Sequence, residues 1–196
     1  MRLTLVMIRH VAEADLIHLV KEGKHSAMRE LYDRHIRYLT AVAARYVGDD
    51  ALRDVLQESF IKIYTAIERF EYRGAGSLRA WLARIVVHTA LDSLNDEIKF
   101  STQPLHENIP QEEEPPTDDV EIEVIHSLIR SLPTGYRTIF NLYVFEGQSH
   151  CEIASRLGIT ESTSASQLHR AKAILAQKIK EYKQQNTRRY EQPMER

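Results

Sequence analysis

Apolar residues recur at every third or fourth position along most of this chain, and that spacing predicts amphipathic helices. Between residues 14 and 47 it predicts two helices that are separated near Gly23. A longer helix is predicted from residue 51 to residue 70, after a break at Gly48, with Asp49 or Asp50 as its N-cap. Its expected buried face consists of Leu52, Val55, Leu56, Phe60, Ile63, Ile67 and Phe70.

A loop with two glycines interrupts the pattern at residues 72–77, and Ser77 is a suitable N-cap for the helix that follows. Tyr72 and Arg73 supply a stacking ring and a cation that can reach a phosphate. The next helix carries Arg79, Trp81, Arg84 and His88. An aromatic and arginine-bearing loop before such a helix is typical of single-strand binding, although Trp81 alone is more often a core residue.

The C-terminal part contains two short helices and then a helix, a glycine and a longer helix. Gly158 can take the left-handed conformation that ends a helix, and Thr160 is a good N-cap for the next one. The buried stripe of that long helix is predicted to be Leu168, Ala171, Leu175, Ile179 and Tyr182. This is the layout of a helix-turn-helix, whose second helix can enter the DNA major groove. A glycine turn alone fits an ordinary helical hairpin about equally well.

The start of the long helix favours nucleic acid over a merely solvated surface. Its short polar and hydrogen-bonding side chains suit base edges and phosphates. These candidate contacts are Ser162, Thr163, Ser164, Ser166, Gln167, His169, Arg170 and Lys172.

Strand signals are scarce, with few alternating runs rich in Val, Ile and Thr and only seven glycines, so we expect an all-α protein. Since 43% of the 196 residues are hydrophobic, the chain can bury a core. The one cysteine, Cys151, excludes an internal disulfide and suits a reducing cytoplasm, and it is expected to be a semi-buried thiol. No stretch predicts a signal peptide or membrane insertion. No metal-ligand set, phosphate-binding loop or activated-serine motif is present, so neither a cofactor nor an enzyme activity is predicted.

Charge divides the chain unevenly. Between residues 97 and 124, one Lys or Arg stands against nine Asp and Glu, whereas residues 125–196 hold eleven against six. The acidic stretch has four prolines and predicts a flexible linker. The basic stretch holds the turn motif, as expected for a DNA-binding module. The predicted parts are residues 1–25 (extension and short helix), 26–96 (first helical domain), 97–120 (linker), 121–182 (second helical domain) and 183–196 (frayed basic tail).

One polar stripe remains, formed by Asp54, Gln57 and Glu58 with Lys62 on the helix of residues 51–70. By pattern alone, a solvated face with a Glu58–Lys62 pair is the more common interpretation.

Three stretches in this order resemble the extracytoplasmic-function group of bacterial RNA polymerase sigma factors. DDALRDVLQESFIKIY (residues 49–64) resembles the family's core-polymerase-binding helix. GSLRAWLARIVVHTALDSL (76–94) resembles its promoter-melting helix. Residues 132–172, with the run Leu-His-Arg-Ala, resemble its fourth domain.

This resemblance implies roles for the residues above. Asp54, Gln57 and Glu58 would face the clamp helices of the polymerase's largest subunit, which replaces the solvated-face interpretation. Residues 72–77 would capture a flipped base of the −10 element, with Arg79, Trp81, Arg84 and His88 along the melted strand. The polar residues between 162 and 172 would enter the −35 major groove. The polymerase flap region and an anti-sigma factor are further implied partners.

The chain departs from the family at residues 164–167. Many members have Val-Lys-Ser-Arg where this chain has Ser164, Ala165, Ser166 and Gln167. Two cations are therefore lost, which predicts weaker phosphate contacts at −35 and more specificity from Gln167 and the serines. A stand-alone helix-turn-helix regulator is the alternative function, but it leaves the Asp54 stripe and the Trp81 helix unexplained.

Overall fold

A computed structural model describes residues 12–94 and 120–191, with side chains up to residue 186. The chain divides into two compact units, Met1–Leu94 and Asn95–Arg196. All regular structure in the described residues is helical, as the sequence pattern predicts. The proposed extension before residue 12, most of the linker and the last five residues lie outside the described part of the chain.

The first unit contains four α-helices and one short 3-10 helix. They are α1 (Glu13–Lys21), α2 (His25–Ala43), α3 (Asp49–Ala66), the 3-10 helix (Ile67–Arg69) and α4 (Ser77–Ser93). α3 and α2 both pack against α4, and α1 packs against α2. The core is apolar at helical spacing, with Leu16, Leu31, Leu39, Ile63 and Leu82 fully buried. Each such side chain contributes about 1.5–3 kcal/mol relative to an exposed position.

Two long-range hydrogen bonds fix this unit further. The Lys21 ammonium donates to the Phe70 carbonyl at 2.8 Å, which holds the end of α1 on the segment after the 3-10 helix. The Tyr64 hydroxyl donates to the Met28 carbonyl at 2.8 Å, which links α3 to the start of α2. The segment after the 3-10 helix is therefore linked to α1, and α3 is linked to α2.

The predicted N-caps of α3 and α4 are wrong by one or two residues. Gly48, not Asp49 or Asp50, is the N-cap of α3, and the two aspartates occupy its first turn. Gly76 is the N-cap of α4, where its φ of 85° is unfavourable for any residue with a Cβ. Aspartate is favoured in a first turn as well as at a cap, because both positions place it near the positive end of the helix dipole.

The second unit contains α5 (Ile122–Arg130), α6 (Thr134–Val144), α7 (His150–Leu157) and α8 (Glu161–Glu191). α8 packs against the other three helices. Its buried stripe includes Leu168, Ala171, Leu175 and Ile179, as predicted, whereas Tyr182 is only half-buried. α8 continues to Glu191, and the fraying expected of the C-terminal tail stays a prediction.

Candidate polymerase-binding and nucleic-acid-binding surfaces

The acidic stripe lies on the exposed face of α3. Asp54, Gln57 and Glu58 are all exposed, one helical turn apart or less. The Glu58 carboxylate pairs with Lys62 at 2.9 Å, and the side chain of Glu58 remains 57% exposed. The stripe therefore presents two carboxylates and an amide to solvent without any rearrangement of the backbone.

An apolar groove adjoins the stripe, and the sequence pattern did not reveal it. It has a volume of about 680 Å³ and lies between α2 and α3. Gln57 is in its wall, together with Tyr32 and Ile61, which are 41% and 60% exposed. Leu52 and Leu56, predicted to be buried, line the same groove and are only half-buried. The sequence did hold one signal that could have revealed this surface, namely apolar residues that lie outside the regular buried stripe of a helix.

The loop of residues 72–77 is held by a hydrogen-bonded turn. The Ser77 hydroxyl donates to the Gly74 carbonyl at 2.7 Å and accepts from the Arg73 backbone N–H at 3.2 Å. Gly74 and Gly76 both have positive φ. Tyr72 is 42% exposed beside this turn. Arg73 pairs with Glu71 at 3.1 Å, and both side chains are more than three-quarters exposed, so a phosphate can compete for the guanidinium.

The predicted −10 residues of α4 occupy two different faces. Ser77, Trp81, Arg84 and His88 follow each other at steps of four, three and four, so they share one face. Trp81 is half-buried and packs on Phe70 with 4.9 Å between ring centroids. Much of its surface is therefore core, and its free part lies on the same face as Arg84 and His88.

Arg79 points toward α2 instead. Its guanidinium lies 3.8 Å from the centroid of the Tyr38 ring. Burial, followed by the charges of Arg34 and Arg79, lowers the pKa of His35 below its ordinary value of 6.5. Tyr38 and His35 were missed as neighbours of the candidate site because they are forty or more residues away in the sequence.

The helix-turn-helix has the predicted turn. Gly158 adopts φ 67°, and the N–H groups of Gly158 and Ile159 both donate to the Ala154 carbonyl. The Thr160 hydroxyl accepts from the Thr163 N–H at 3.1 Å, so Thr160 is the cap of α8. Ser149 caps α7 in a capping box with Glu152, whose pKa is lowered by the Ser149 N–H and hydroxyl. The turn between the two helices is therefore held by local hydrogen bonds.

Most of the predicted −35 residues lie on the accessible side of α8. Ser162, Ser166, His169 and Lys172 are exposed, and Thr163 and Arg170 are partly exposed. The Ser162 hydroxyl contacts the Thr160 hydroxyl at 2.9 Å, and the Ser166 hydroxyl donates to the Thr163 carbonyl at 3.0 Å. Both hydroxyls retain acceptor capacity for another donor.

Two of the predicted −35 contacts are wrong. Ser164 is 0% exposed and Gln167 is 1% exposed, so neither side chain reaches the surface of the helix. Ser164 lies four residues before Leu168, and Gln167 lies four residues before Ala171, so both side chains continue the buried stripe of α8. Ser164 lies 3.0 Å from the His150 ring nitrogen Nδ1, which ties the start of α8 to the start of α7. Specificity at −35 therefore cannot be assigned to Gln167.

An exposed apolar group lies at the end of α6. Tyr143, Val144 and Phe145 are 40%, 46% and 41% exposed. The Tyr143 ring stacks on the His150 ring at 4.8 Å and 23°, so the end of α6 is fixed against the start of α7. Phe145 packs edge-on to Phe140, with 6.3 Å between centroids. These aromatic contacts keep an accessible apolar surface in a defined position.

Cys151 is exposed, which corrects the prediction of a semi-buried thiol. The pKa of this thiol is raised above its ordinary value of 9.0, mainly by a hydrogen bond to the Glu161 carboxylate. Because the thiolate is the reactive form, this contact makes Cys151 less nucleophilic.

Within residues 12–94 and 120–191, no helix has the length and apolar character needed to cross a membrane. In the same two stretches, no three His, Cys, Asp or Glu side chains are grouped so that they can hold a metal ion.

Comparison with known proteins gives matches in both units. Residues 31–99 match the family model for Sigma-70 region 2, and residues 122–175 match the model for Sigma-70, region 4. The ECF RNA polymerase sigma-E factor of Haemophilus influenzae is 29% identical over 190 residues, which cover 88% of this chain and 98% of that protein. The protein of the same name from Escherichia coli K12 is 27% identical over 188 residues, 88% of this chain and 97% of that protein.

A solved structure of CnrH in complex with the cytosolic domain of CnrY is similar at 22% identity and a TM-score of 0.44, covering 84% of this chain and 95% of that one.

Sigma factors are DNA-binding initiation factors and not enzymes, and a stand-alone regulator would not carry region 2. The two family matches together span more than half of the chain, in the order that a sigma factor requires. The chain belongs to the sigma-70 family, in its extracytoplasmic-function group, and directs RNA polymerase to promoters at transcription initiation.

Proposed function

We propose that the chain docks on core RNA polymerase through the acidic stripe Asp54, Gln57 and Glu58 and the adjoining apolar groove. The observation that carries this proposal is the position of exposed carboxylates on α3 beside the apolar groove between α2 and α3. A polar rim around an apolar centre is the usual composition of a protein interface. The stripe would face basic groups of the largest subunit's clamp helices, and Ile61 and Tyr32 would supply the apolar contact.

The proposed −10 site consists of the 72–77 turn, the face of α4 with Trp81, Arg84 and His88, and Arg79 on the neighbouring face beside Tyr38. Flipping a base out of the stack costs a few kcal/mol. A turn already held by the Ser77 hydroxyl avoids part of the ordering cost when it receives that base. Tyr72 would stack on bases, and Arg73 and Arg84 would neutralise phosphates of the melted strand.

The proposed −35 site is the accessible side of α8, restricted to Ser162, Thr163, Ser166, His169, Arg170 and Lys172. Serine and threonine hydroxyls bond to several bases, so they discriminate weakly, whereas Arg170 and Lys172 suit guanine or phosphate. The site has few cations for a major-groove reader, which predicts a moderate dependence of affinity on salt.

Two further partners follow from family membership. We assign the polymerase flap region to the apolar group of Tyr143, Val144 and Phe145, since an apolar segment would cover a surface of that kind. An anti-sigma factor is expected to inhibit the chain by covering one of its polymerase-binding surfaces. A pull-down from the native host, with the groove residue Ile61 changed to Asp, tests whether that surface is the one covered.

The test of the main proposal is a charge reversal in the stripe. Glu58→Arg should abolish stoichiometric binding to core polymerase, because it places a cation against a basic partner, and the fold should be unchanged because the position is exposed. Glu68→Arg, at an exposed glutamate outside the stripe, is the matched control and should bind normally. Unchanged affinity for Glu58→Arg would refute the assignment of the stripe to polymerase.

A further inference from the structure

Lys62 lies between two carboxylates that belong to different helices. Its ammonium nitrogen is 2.9 Å from Glu58 Oε1 on α3 and 3.3 Å from Asp92 Oδ2 on α4. The three side chains remain 40%, 57% and 70% exposed for Lys62, Glu58 and Asp92. The contact to Glu58 connects this cluster to the acidic stripe, whereas Asp92 lies outside the stripe.

This arrangement creates a problem for docking. A basic group of polymerase that approaches Glu58 meets a carboxylate already paired with Lys62. If it displaces the Lys62 ammonium and nothing else accepts that charge, two cations are left beside each other, which is unfavourable. Asp92 already lies 3.3 Å from the ammonium, so it can retain that charge without a movement of α3 or α4.

We propose that Lys62 and Asp92 form a charge-exchange pair that releases Glu58 to polymerase. In the free chain Lys62 is shared between the two carboxylates. On docking, Glu58 pairs with a basic group of the partner, and Lys62 is retained by Asp92 alone. This inference rests on the proposed docking of the stripe, and it makes Lys62 and Asp92 positioning residues that act through Glu58.

The ammonium is charged throughout the neutral range. Hydrogen bonding to Glu58, more than to Asp92, raises the pKa of Lys62 above its ordinary value of 10.5. Lys62 therefore cannot be removed as a competitor by losing its proton near neutral pH, and only a second carboxylate can neutralise it.

The proposal predicts opposite signs for the two members of the pair. Asp92→Asn should weaken polymerase binding. Lys62 then pairs with Glu58 alone, so it competes more strongly with polymerase for that carboxylate, and the Lys62 charge is left unpaired in the complex. Lys62→Gln should strengthen binding, because Glu58 no longer has an internal partner. Since exposed ion pairs are modest, each change is expected to be about two- to five-fold in the dissociation constant. Both changes should shrink at high salt.

The decisive experiment compares Lys62→Gln, Asp92→Asn, the double variant and Glu58→Gln as full-length chains that bind core polymerase, at low and high salt. The double variant should bind like Lys62→Gln alone, because Asp92 acts only through Lys62. Lys24→Gln is the matched control, since it removes an exposed pair of 2.7 Å with Glu22 outside the stripe. It should leave polymerase affinity unchanged.

Two results would overturn the pair. One is weaker binding by Lys62→Gln together with a lower unfolding temperature, as expected if the cluster only fastens α3 to α4. The other is an Asp92→Asn effect that persists unchanged when Lys62 is Gln. If instead Glu58→Gln itself has no effect, the docking proposal fails first, so the two failures are distinguishable.

Discussion

The guanidinium of Arg79 lies 3.8 Å from the centroid of the Tyr38 ring, across the interface between α4 and α2. Arg79 is an exposed residue at the start of the proposed promoter-melting helix. A cation held over an aromatic face loses less freedom on binding a phosphate than an unrestrained arginine does. We therefore expect the Tyr38 ring to restrict the Arg79 guanidinium to one orientation, in which it can bind a phosphate.

Tyr38→Leu should lower promoter opening about two- to five-fold, because an exposed cation–π contact contributes about 0.5–1 kcal/mol. Tyr38→Phe keeps the ring and should behave as the wild type. Opening is measured by the reactivity of unpaired thymines around the −10 element. If Tyr38→Leu has an equal effect when Arg79 is already Ala, the ring does not act through the guanidinium.

His35 predicts a pH dependence of stability. Its pKa is lowered in the folded chain by burial and by the charges of Arg34 and Arg79, so the unfolded chain binds the proton more readily. The contribution of neutral His35 to the free energy of unfolding is complete above the ordinary pKa of 6.5, and it is lost as the pH falls below that value. Chemical denaturation between pH 7.5 and pH 5 should show a decline in the free energy of unfolding that His35→Gln reduces. An identical decline in that variant would contradict this origin.

Gln167→Leu should retain −35 sequence discrimination, because Gln167 is buried. Within the described part of the chain its Oε1 atom has no hydrogen-bond partner, so the free energy of unfolding should be retained or raised. Arg170→Ala is the matched comparison on the accessible side and should weaken −35 binding by about 1–3 kcal/mol if it contacts a base. Loss of discrimination by Gln167→Leu, with stability intact, would place that side chain at the DNA after all.

Gly158→Ala should lower the free energy of unfolding of the second unit by about 1–2 kcal/mol, because its φ of 67° disfavours any side chain with a Cβ. No neighbouring atom obstructs a Cβ there, so the effect comes from the backbone alone. Gly158→Asn should be milder, since asparagine tolerates this conformation. Thermal unfolding measures both, with exposed Ser155→Ala as control, and equal stability of all three variants would contradict a left-handed turn.

Local chemistry made part of this structure predictable. Gly158, the Thr160 cap and the buried stripe of α8 follow from short-range rules, and the structure agrees with them. The burial of Ser164 and Gln167 could not be predicted in the same way, because the sequence gives no sign that a polar residue occupies a core position. The Arg79–Tyr38 contact and the groove at Ile61 depend on how α2, α3 and α4 pack, which periodicity does not specify.

The assignment of function had a different basis. Neither the acidic stripe nor the Trp81 helix was decisive alone, since each fits an ordinary surface or core. Their order along the chain, together with the helix-turn-helix, is what resembles sigma factors, and the matches to regions 2 and 4 confirm the family. The contacts with polymerase and with each promoter element remain predictions, which the variants above test residue by residue.

The most direct test is transcription in vitro by core polymerase supplied with the purified chain and fragments of its own genome, followed by sequencing of the RNA 5′ ends. The wild-type chain should give defined start sites downstream of shared −10 and −35 elements, and Glu58→Arg should give none. If the wild-type chain directs no RNA synthesis from any fragment, the central claim that it recruits polymerase to promoters is contradicted.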